Sequence, residues 1–386
     1  MKILYISAMF DYQTYNQLFT KETKPMHAAN KYHTLLCKGL VDKGIFVRSI
    51  SALPVNRKNC GKKYVKIKKK KIGGYTQEYP AFFNFPGLRH IQLFFSAFFK
   101  ALFSKRNTII IYDTLVAALS YGAVLAAKIT GKKCISIVTD LPGYLKGTQE
   151  SFDVKAKKKL MGMANGYIFL TKQMDAVVNK KKKPFIVVEG LVDSDIVTRL
   201  HKPFATCLKN IVYAGTLQKI YGIKNLCESF IECAKEGEKL HIYGDGDYLP
   251  ELKELLTNHK NIIYHGNRPN QEVVDMELES VLLVNPRPRE GEYTKYSFPS
   301  KTLEYMVSGT PVLTAHLAGI PDEYDAYLYY FDDEKKDGLK KAIREILDKD
   351  FSELETFGKN ARDFVLLNKN NILQAERVIE FLKRFK

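Results

Sequence analysis

The sequence predicts an α/β chain of two domains, each a parallel sheet covered by helices on both faces. Three observations carry this. Short apolar, β-branched runs alternate with helical stretches along the whole chain. Those runs are continuously hydrophobic, as strands buried on both faces require. At 386 residues the chain exceeds one typical core and fits two.

The elements follow in order. "KILYIS" at 2–7 reads as a first buried strand rather than a signal peptide, because one lysine precedes it and no small-residue cleavage site follows. "HAANKYHTLLCKGLVDKG" has the apolar spacing of a helix closed by Gly44. "FVRSIS", "TIIIYD", "CISIVTD" and "GYIFLT" are further strands, with "TLVAALSYGAVLAAKITG" a helix between two of them. The second half repeats the rhythm with the strands "NIVYAG", "KLHIYG", "NIIYHG", "VLLVNP" and "TPVLTA". Helices are expected at about 222–235, 248–258, 271–277 and 300–308. A segment near 185–197 bridges the halves, and "NILQAERVIEFLKRFK" closes the chain as an amphipathic helix. The expected domains are 1–190 and 191–368, with 369–386 crossing back to the first.

Six scattered cysteines with no CxxC pair argue against a zinc site or a disulfide framework and fit a reducing compartment. No stretch offers about 18 uninterrupted apolar residues, as a spanning helix would need. The net charge of +18 is unevenly held. Residues 1–190 carry 33 Lys and Arg against 10 Asp and Glu, whereas 191–386 carry 27 against 32. Lysine runs at 62–71, 155–159 and 180–183 all fall in the first half, which points to an anionic surface, membrane or nucleic acid. Residues 82–103 add eight phenylalanines among basic residues, too many for one helix stripe to bury readily; they read as a core helix or as a membrane-interface helix.

The stretch "YTKYSFPSKTLEYMVSGTPV" at 293–312 asks the sharpest question. A Ser-Phe-Pro-Ser-Lys turn opens a helix that breaks at Ser308-Gly309. The first turn of a helix leaves backbone N–H groups unpaired and carries partial positive charge, so it suits an anion. Ser300 and Lys301 add a hydroxyl and a full charge at that end, although a capped helix with a solvated lysine would look the same.

With its neighbours this stretch resembles a known family. "VYAGTLQKIYGIKNLCESF", "HIYGDGDYLPELKELL", "IIYHGNRPNQEVVDMELESVLLVNP" and "SFPSKTLEYMVSGTPVLTAHLAGIPDEY" are similar, in order, to the donor half of the retaining GT4 (group 1) glycosyltransferases. The likeness covers most of 205–330; the first half resembles the family by topology alone. It implies a GT-B fold: two Rossmann-like domains with parallel sheets facing a central cleft. It also implies transfer of a sugar from a nucleotide-diphosphate sugar, UDP-sugar favoured, to a glycan or lipid-linked acceptor, with retention, as in surface polysaccharide biosynthesis.

The resemblance assigns roles position by position. Glu304 matches the glutamate that holds the ribose. Its partner eight positions earlier is replaced by Tyr296, so the sugar contact falls to that phenol or to Glu290 or Glu292. Ser297, Phe298, Ser300 and Lys301 match the turn that seats the hexose and diphosphate. Gly215 matches the donor loop, but Thr216 and Tyr221 stand where the family has phosphate-binding cations. Lys219, Arg287 and Arg289 are the nearby substitutes, each arginine being otherwise an exposed loop charge. Asp245-Gly246-Asp247 looks like a metal-binding DxD; here it follows a strand and opens a helix, so a tight turn with Asp247 as cap is the reading, and no metal or other cofactor is expected. On the acceptor side, loops after strands offer Asp11, Asp113, Thr139 and Asp140, the last to orient an acceptor hydroxyl or simply to turn the chain.

The expected setting is cytoplasmic, on the inner face of the cytoplasmic membrane, with an anionic membrane surface as partner. A nucleic-acid-binding protein using the basic half is the other class; buried strands and the lack of RNP, KH or zinc-finger patterns weigh against it, and no nucleic-acid partner is expected. A sugar-nucleotide epimerase of the same shape would share the donor site.

Overall fold

A computed structural model describes residues 1–18, 27–143, 151–196, 209–332 and 337–386. Cys207 and the end of the bridging segment at 197 lie outside these residues. The chain divides into two compact units, Met1–Asp193 with Asn370–Lys386, and Ser194–Lys369.

The first unit contains, in order, β1 (Lys2–Ser7), α1 (Tyr12–Leu18), α2 (His27–Asp42), β2 (Phe46–Ser51), β3 (Tyr64–Val65), β4 (Lys70–Ile72), β5 (Tyr75–Glu78) and β6 (Phe82–Phe83). It continues through α3 (Leu88–Leu102), β7 (Thr108–Asp113), α4 (Ala117–Thr130), β8 (Cys134–Val138), α5 (Phe152–Gly162), β9 (Gly166–Phe169), α6 (Met174–Val178) and β10 (Phe185–Val187). Eight strands form one sheet in the order β10-β9-β8-β7-β1-β2-β5-β4, parallel except where β4 runs antiparallel to β5. Every residue of β7, β8 and β9 is buried, so these strands have no polar face.

Two features of this unit escape sequence patterning. The lysine run at 62–71 is partly strand: Ile72 pairs with Tyr75 across a two-residue turn in which Gly73 and Gly74 both have positive φ (49° and 84°). Such a turn matches the twist of a hairpin and favours glycine at both positions. The phenylalanine-rich segment is not one helix either. Phe82 and Phe83 form β6, which pairs antiparallel with β3, and the helix begins only at Leu88.

The C-terminal helix α13 (Asn371–Lys383) packs on α2 in this same unit. A Cβ at position 39 would lie 2.1 Å from the Asn371 carbonyl oxygen, so only glycine lets the two helices approach this closely. Leu36, Leu40, Ala375, Val378 and Leu382 then share the core with Ile3, Tyr5 and Ile111 of the sheet. Fully burying a leucine-sized side chain is worth about 1.5–3 kcal/mol, so α13 contributes materially to this core.

The second unit runs β11 (Asn210–Ala214), α7 (Ile223–Cys233), β12 (Lys239–Tyr243), α8 (Leu249–Leu255), β13 (Ile262–Gly266), α9 (Asn270–Leu278), β14 (Leu282–Asn285), α10 (Ser300–Ser308), β15 (Val312–Ala315), β16 (Tyr329–Phe331), α11 (Gly338–Leu347) and α12 (Phe351–Asn368). Its six strands are all parallel, in the order β13-β12-β11-β14-β15-β16. The α10 helix ends where the sequence predicts, at Gly309 in the left-handed region (φ 79°). The five described cysteines are free thiols. Burial pushes Cys134 and Cys227 each up to about 12, which makes them inert core residues at neutral pH.

Candidate functional site

In the second unit, loops leaving the C-terminal ends of β11, β12 and β14 come together, which is where open parallel sheets bind ligands. The loop after β11 packs on the loop after β12. Gly215 N–H donates to the Tyr243 carbonyl (3.0 Å), Leu217 N–H donates to the Asp245 carbonyl (3.0 Å), and a Cβ on Gly246 would lie 2.3 Å from the Leu217 oxygen. The loop after β14 joins them at Gly222, where a Cβ would lie 2.0 Å from the Pro286 oxygen.

The α10 helix is fixed to this edge by one side chain. Tyr305, fully buried, accepts from the Ala214 N–H at 2.8 Å and donates to the Ala214 carbonyl at 3.1 Å. Burial raises its phenol well above the usual range, so it stays neutral and keeps both bonds. Tyr305 thereby holds the helix bearing Glu304 beside the residue that precedes Gly215. Sequence reasoning missed it, because a tyrosine on the inner face of a helix looks like ordinary core.

At the mouth of α10, Pro299 occupies the cap position and no side chain caps the helix, so its first backbone N–H groups are not taken by a cap. Lys301 Nζ lies 3.3 Å from Glu304 Oε2, one turn further in. Both side chains are partly exposed, as is the Ser300 position. A carboxylate, a type of group that can accept from a vicinal diol, and a cation, which can pair with a phosphate, therefore sit on one helical face.

Arg287 is the best-oriented cation here. Its guanidinium lies between the rings of Tyr221 (5.2 Å) and Tyr293 (4.7 Å), and Nη1 donates to Ser297 Oγ at 3.3 Å. Its Nε is buried and makes no hydrogen bond among the described residues. Two aromatic faces fix the plane of the fork without neutralising it. The sequence showed the charge; it gave no sign of the clamp, because Tyr221 is far away in the chain. Arg289 is instead paired with Asp332 at 3.2 Å.

Other expected positions need correction or qualification. Lys219 is ion-paired to Glu251, and its backbone N–H donates to Asp247 Oδ1 (2.8 Å), so it is not an uncommitted phosphate ligand. Asp247 consequently does not cap α8, whose cap position is Tyr248 with no side-chain bond. The Phe298 ring is buried against Tyr324 (centroids 5.6 Å apart), which leaves only its backbone to the turn. Thr216 is exposed, and its carbonyl accepts from the Tyr213 hydroxyl at 2.9 Å. Tyr296, half-buried, closes the short turn Glu292–Tyr296 immediately before Ser297, while Glu290 is exposed.

In the first unit, Asp113 is fully buried and bonds His33 Nε2 at 3.1 Å, while His33 Nδ1 meets the Tyr5 hydroxyl at 2.8 Å. The expected acceptor contact at Asp113 is thus replaced by an internal network. Asp11 is partly exposed and accepts from Lys70 Nζ (3.0 Å) and the Thr14 N–H (2.9 Å). Burial works to raise its carboxyl, but the bonds from Thr14 and Lys70 outweigh this and hold it below the usual range. Asp140 is exposed after β8; Thr139 before it is buried, with a hydroxyl that makes no hydrogen bond among the described residues.

The chain also resembles known proteins. Residues 208–349 match the family model described as glycosyl transferases group 1. No curated protein matches the chain. Among solved structures, sucrose-phosphate synthase from Thermosynechococcus elongatus is similar over 100% of this chain and 99% of its own, with TM-score 0.70 and 14% identity. Anabaena HepE in complex with UDP is similar over 100% of both chains, with TM-score 0.69 and 13% identity. The lipopolysaccharide outer core galactosyltransferase WaaB, in its apo form, is similar over 100% of this chain and 99% of its own, with TM-score 0.62 and 14% identity. The neighbours define the fold as GT-B, with two Rossmann-like halves. The matched domain supplies the class: the chain is a glycosyltransferase enzyme.

Proposed function

We propose that this enzyme moves a sugar from a nucleoside-diphosphate sugar to a glycan or lipid-linked acceptor, with retention of anomeric configuration and without a metal. A UDP-sugar is the favoured donor; the HepE structures include complexes with UDP and with UDP-glucose. The observation that carries the reading is the α10 mouth, where an uncapped helix start, Lys301, Arg287 and Glu304 gather at the end of β11 and β14. Glu304 accepts from the two ribose hydroxyls. The helix N-terminus, Lys301 and Arg287 take the diphosphate, with Ser297 released from Arg287 to the same oxygens.

In the proposed transfer the bond from the anomeric carbon to the phosphate oxygen breaks and the bond to the acceptor oxygen forms on the same face. The acceptor proton passes to the departing diphosphate, so no strong side-chain base is needed. Charge grows on the diphosphate as it leaves, and fixed donors there favour the transition state over the ground state. Asp140 is the candidate to orient the acceptor hydroxyl, and Tyr296 or Glu290 to contact the donor sugar. The acceptor is presented at an anionic membrane on its cytoplasmic side, where the basic first unit would meet it. Surface polysaccharide assembly is the pathway class this fits.

The test is binding and turnover with a nucleotide panel. Glu304→Gln should weaken UDP about ten- to a hundred-fold, the cost of one charge-assisted hydrogen bond, with the melting temperature unchanged. Proton NMR of the product from a labelled UDP-sugar should show the donor's anomeric configuration, and EDTA should leave the rate unaltered. An unchanged UDP affinity in Glu304→Gln would sink the donor assignment. Release of an epimerised nucleotide sugar would replace transfer with epimerisation.

A further inference from the structure

We propose that the solvent face of α3, with the β3–β6 pair beside it, is the surface that seats the first unit on an anionic bilayer. This rests on the membrane-side acceptor proposed above and specifies which residues enter the lipid interface. The helix is sharply two-sided. Leu93, Ala97 and Ala101 are buried, and α4 approaches so closely that a Cβ on Gly122 would lie 2.1 Å from the Phe94 oxygen. On the other side Ile91, Phe95, Phe99 and Phe103 follow at intervals of four, exposed by 55%, 48%, 49% and 80%. The last three rings stack in succession at 6.2 and 6.3 Å. A core helix does not line up four large apolar side chains in water.

The β3–β6 pair extends this face. Tyr64 and Phe83, both exposed, pack ring to ring at 4.9 Å, and the Phe83 N–H donates to Gln92 Oε1 on α3 at 2.8 Å. Gln92 follows Ile91 directly, so the aromatic pair adjoins the start of the ridge.

Charge identifies the occupant. Residues 52–112 contain 13 Lys and Arg and one carboxylate, Glu78. That carboxylate is largely buried and already paired with Arg48 (2.8 Å) and Lys100 (2.8 Å). An apolar ridge in a stretch this rich in cations fits an anionic lipid surface, with the rings among the acyl chains and the exposed lysines at the headgroups. A second copy of this face would bring like charges together. Lys70 is excluded from the lipid-facing set, since it is held by Asp11 and Thr14.

Vesicle co-sedimentation of the full chain tests this, using phosphatidylcholine alone, phosphatidylcholine with phosphatidylserine, and the mixture at high salt. Wild type should bind only the anionic vesicles, and part of that binding should survive salt. Phe99→Ser with Phe103→Ser should lower partitioning at least about tenfold and remove the salt-resistant part, since each ring forfeits its apolar burial. Lys62→Ser, Lys63→Ser and Lys66→Ser together should remove the salt-sensitive part instead. In wild type, vesicles should protect the amides of 88–103 from hydrogen exchange, a readout that does not depend on any variant folding. Wild-type partitioning in the phenylalanine variant, or a dimer in light scattering that this variant dissolves, would overturn the proposal. Tighter binding to RNA than to anionic vesicles would overturn it too. Glu304→Gln should lose UDP while keeping vesicle binding, so the donor reading and the docking reading fail separately.

Discussion

Arg287 illustrates what one residue contributes that a motif cannot show. Its charge could be read from "NPRPRE", but its orientation depends on rings at positions 221 and 293 that only the folded loops bring together. Arg287→Met should keep the fold and weaken UDP about ten- to a hundred-fold while leaving uridine affinity unchanged, as titration calorimetry would show. Equal losses for both ligands would mean that the arginine only supports its loop. Tyr305→Phe removes both bonds to Ala214 and leaves a buried N–H and C=O unpaired. Chemical denaturation should show a loss of about 1–3 kcal/mol. His241 makes a pH prediction. Burial, and then the neighbouring His265 at 2.9 Å, push its imidazole down to about 4 from the ordinary 6.5. Between those values the unfolded chain binds a proton that the folded chain does not. Stability should therefore fall as pH drops from 6.5 toward 4, by on the order of 2–3 kcal/mol, and His241→Phe should flatten that slope in melts recorded across the range.

Elements were legible in the sequence wherever periodicity and a stop signal coincided. The α10 helix had both, a regular apolar face and Ser308-Gly309, and its bounds are those expected. Inner strands such as β7, β8 and β11 were legible because they are buried on both faces and read as unbroken apolar runs, whereas the partly buried β10 and β16 at the sheet ends were not read as strands. The β4–β5 hairpin was not, because Lys70 and Lys71 carry no apolar alternation and the register depends on the Gly73-Gly74 turn. Asp247 was misassigned for a related reason. A carboxylate before a helix looks like a cap, and only the approach of the 217–219 loop turns it to Lys219 N–H. At the same scale, Gly122→Val should force α3 away from α4, since the added Cβ would overlap the Phe94 carbonyl. Overpacking of this kind costs about 1–3 kcal/mol, and proteolysis should then cut first within 88–102.

For the molecule as a whole, the strand–helix rhythm and the charge asymmetry were visible before the fold, since both are sums over many residues and tolerate local errors. How the acceptor-side residues are committed was not visible. Asp11 follows β1 and Asp113 ends β7, yet one is tied to Lys70 and the other to His33, and those partners are distant in sequence. The chain also leaves the first unit and re-enters it at adjoining points: Asn371 N–H donates to the Val192 carbonyl at 2.9 Å, beside the bridge between Val192 and Asn370. The second unit is therefore an insertion within the first. Its strands and helices are all contained in 194–369. A protein truncated after Lys369 should retain slow hydrogen exchange in β11–β15, while α2, stripped of α13, exchanges freely.

That interruption fixes an order of events on the ribosome. An N-terminal domain usually folds first as it emerges, but here the first unit includes residues 370–386. The first unit cannot close its core until residues 371–383 are clear of the exit tunnel. By then the second unit has had its full length outside, and the lysine-rich, phenylalanine-bearing first unit has waited, unfinished, throughout its synthesis. During that wait α2 must keep an apolar stripe uncovered, with Leu36 and Leu40 available to chaperones. Late delivery of α13 therefore lengthens the time for which that stripe stays uncovered.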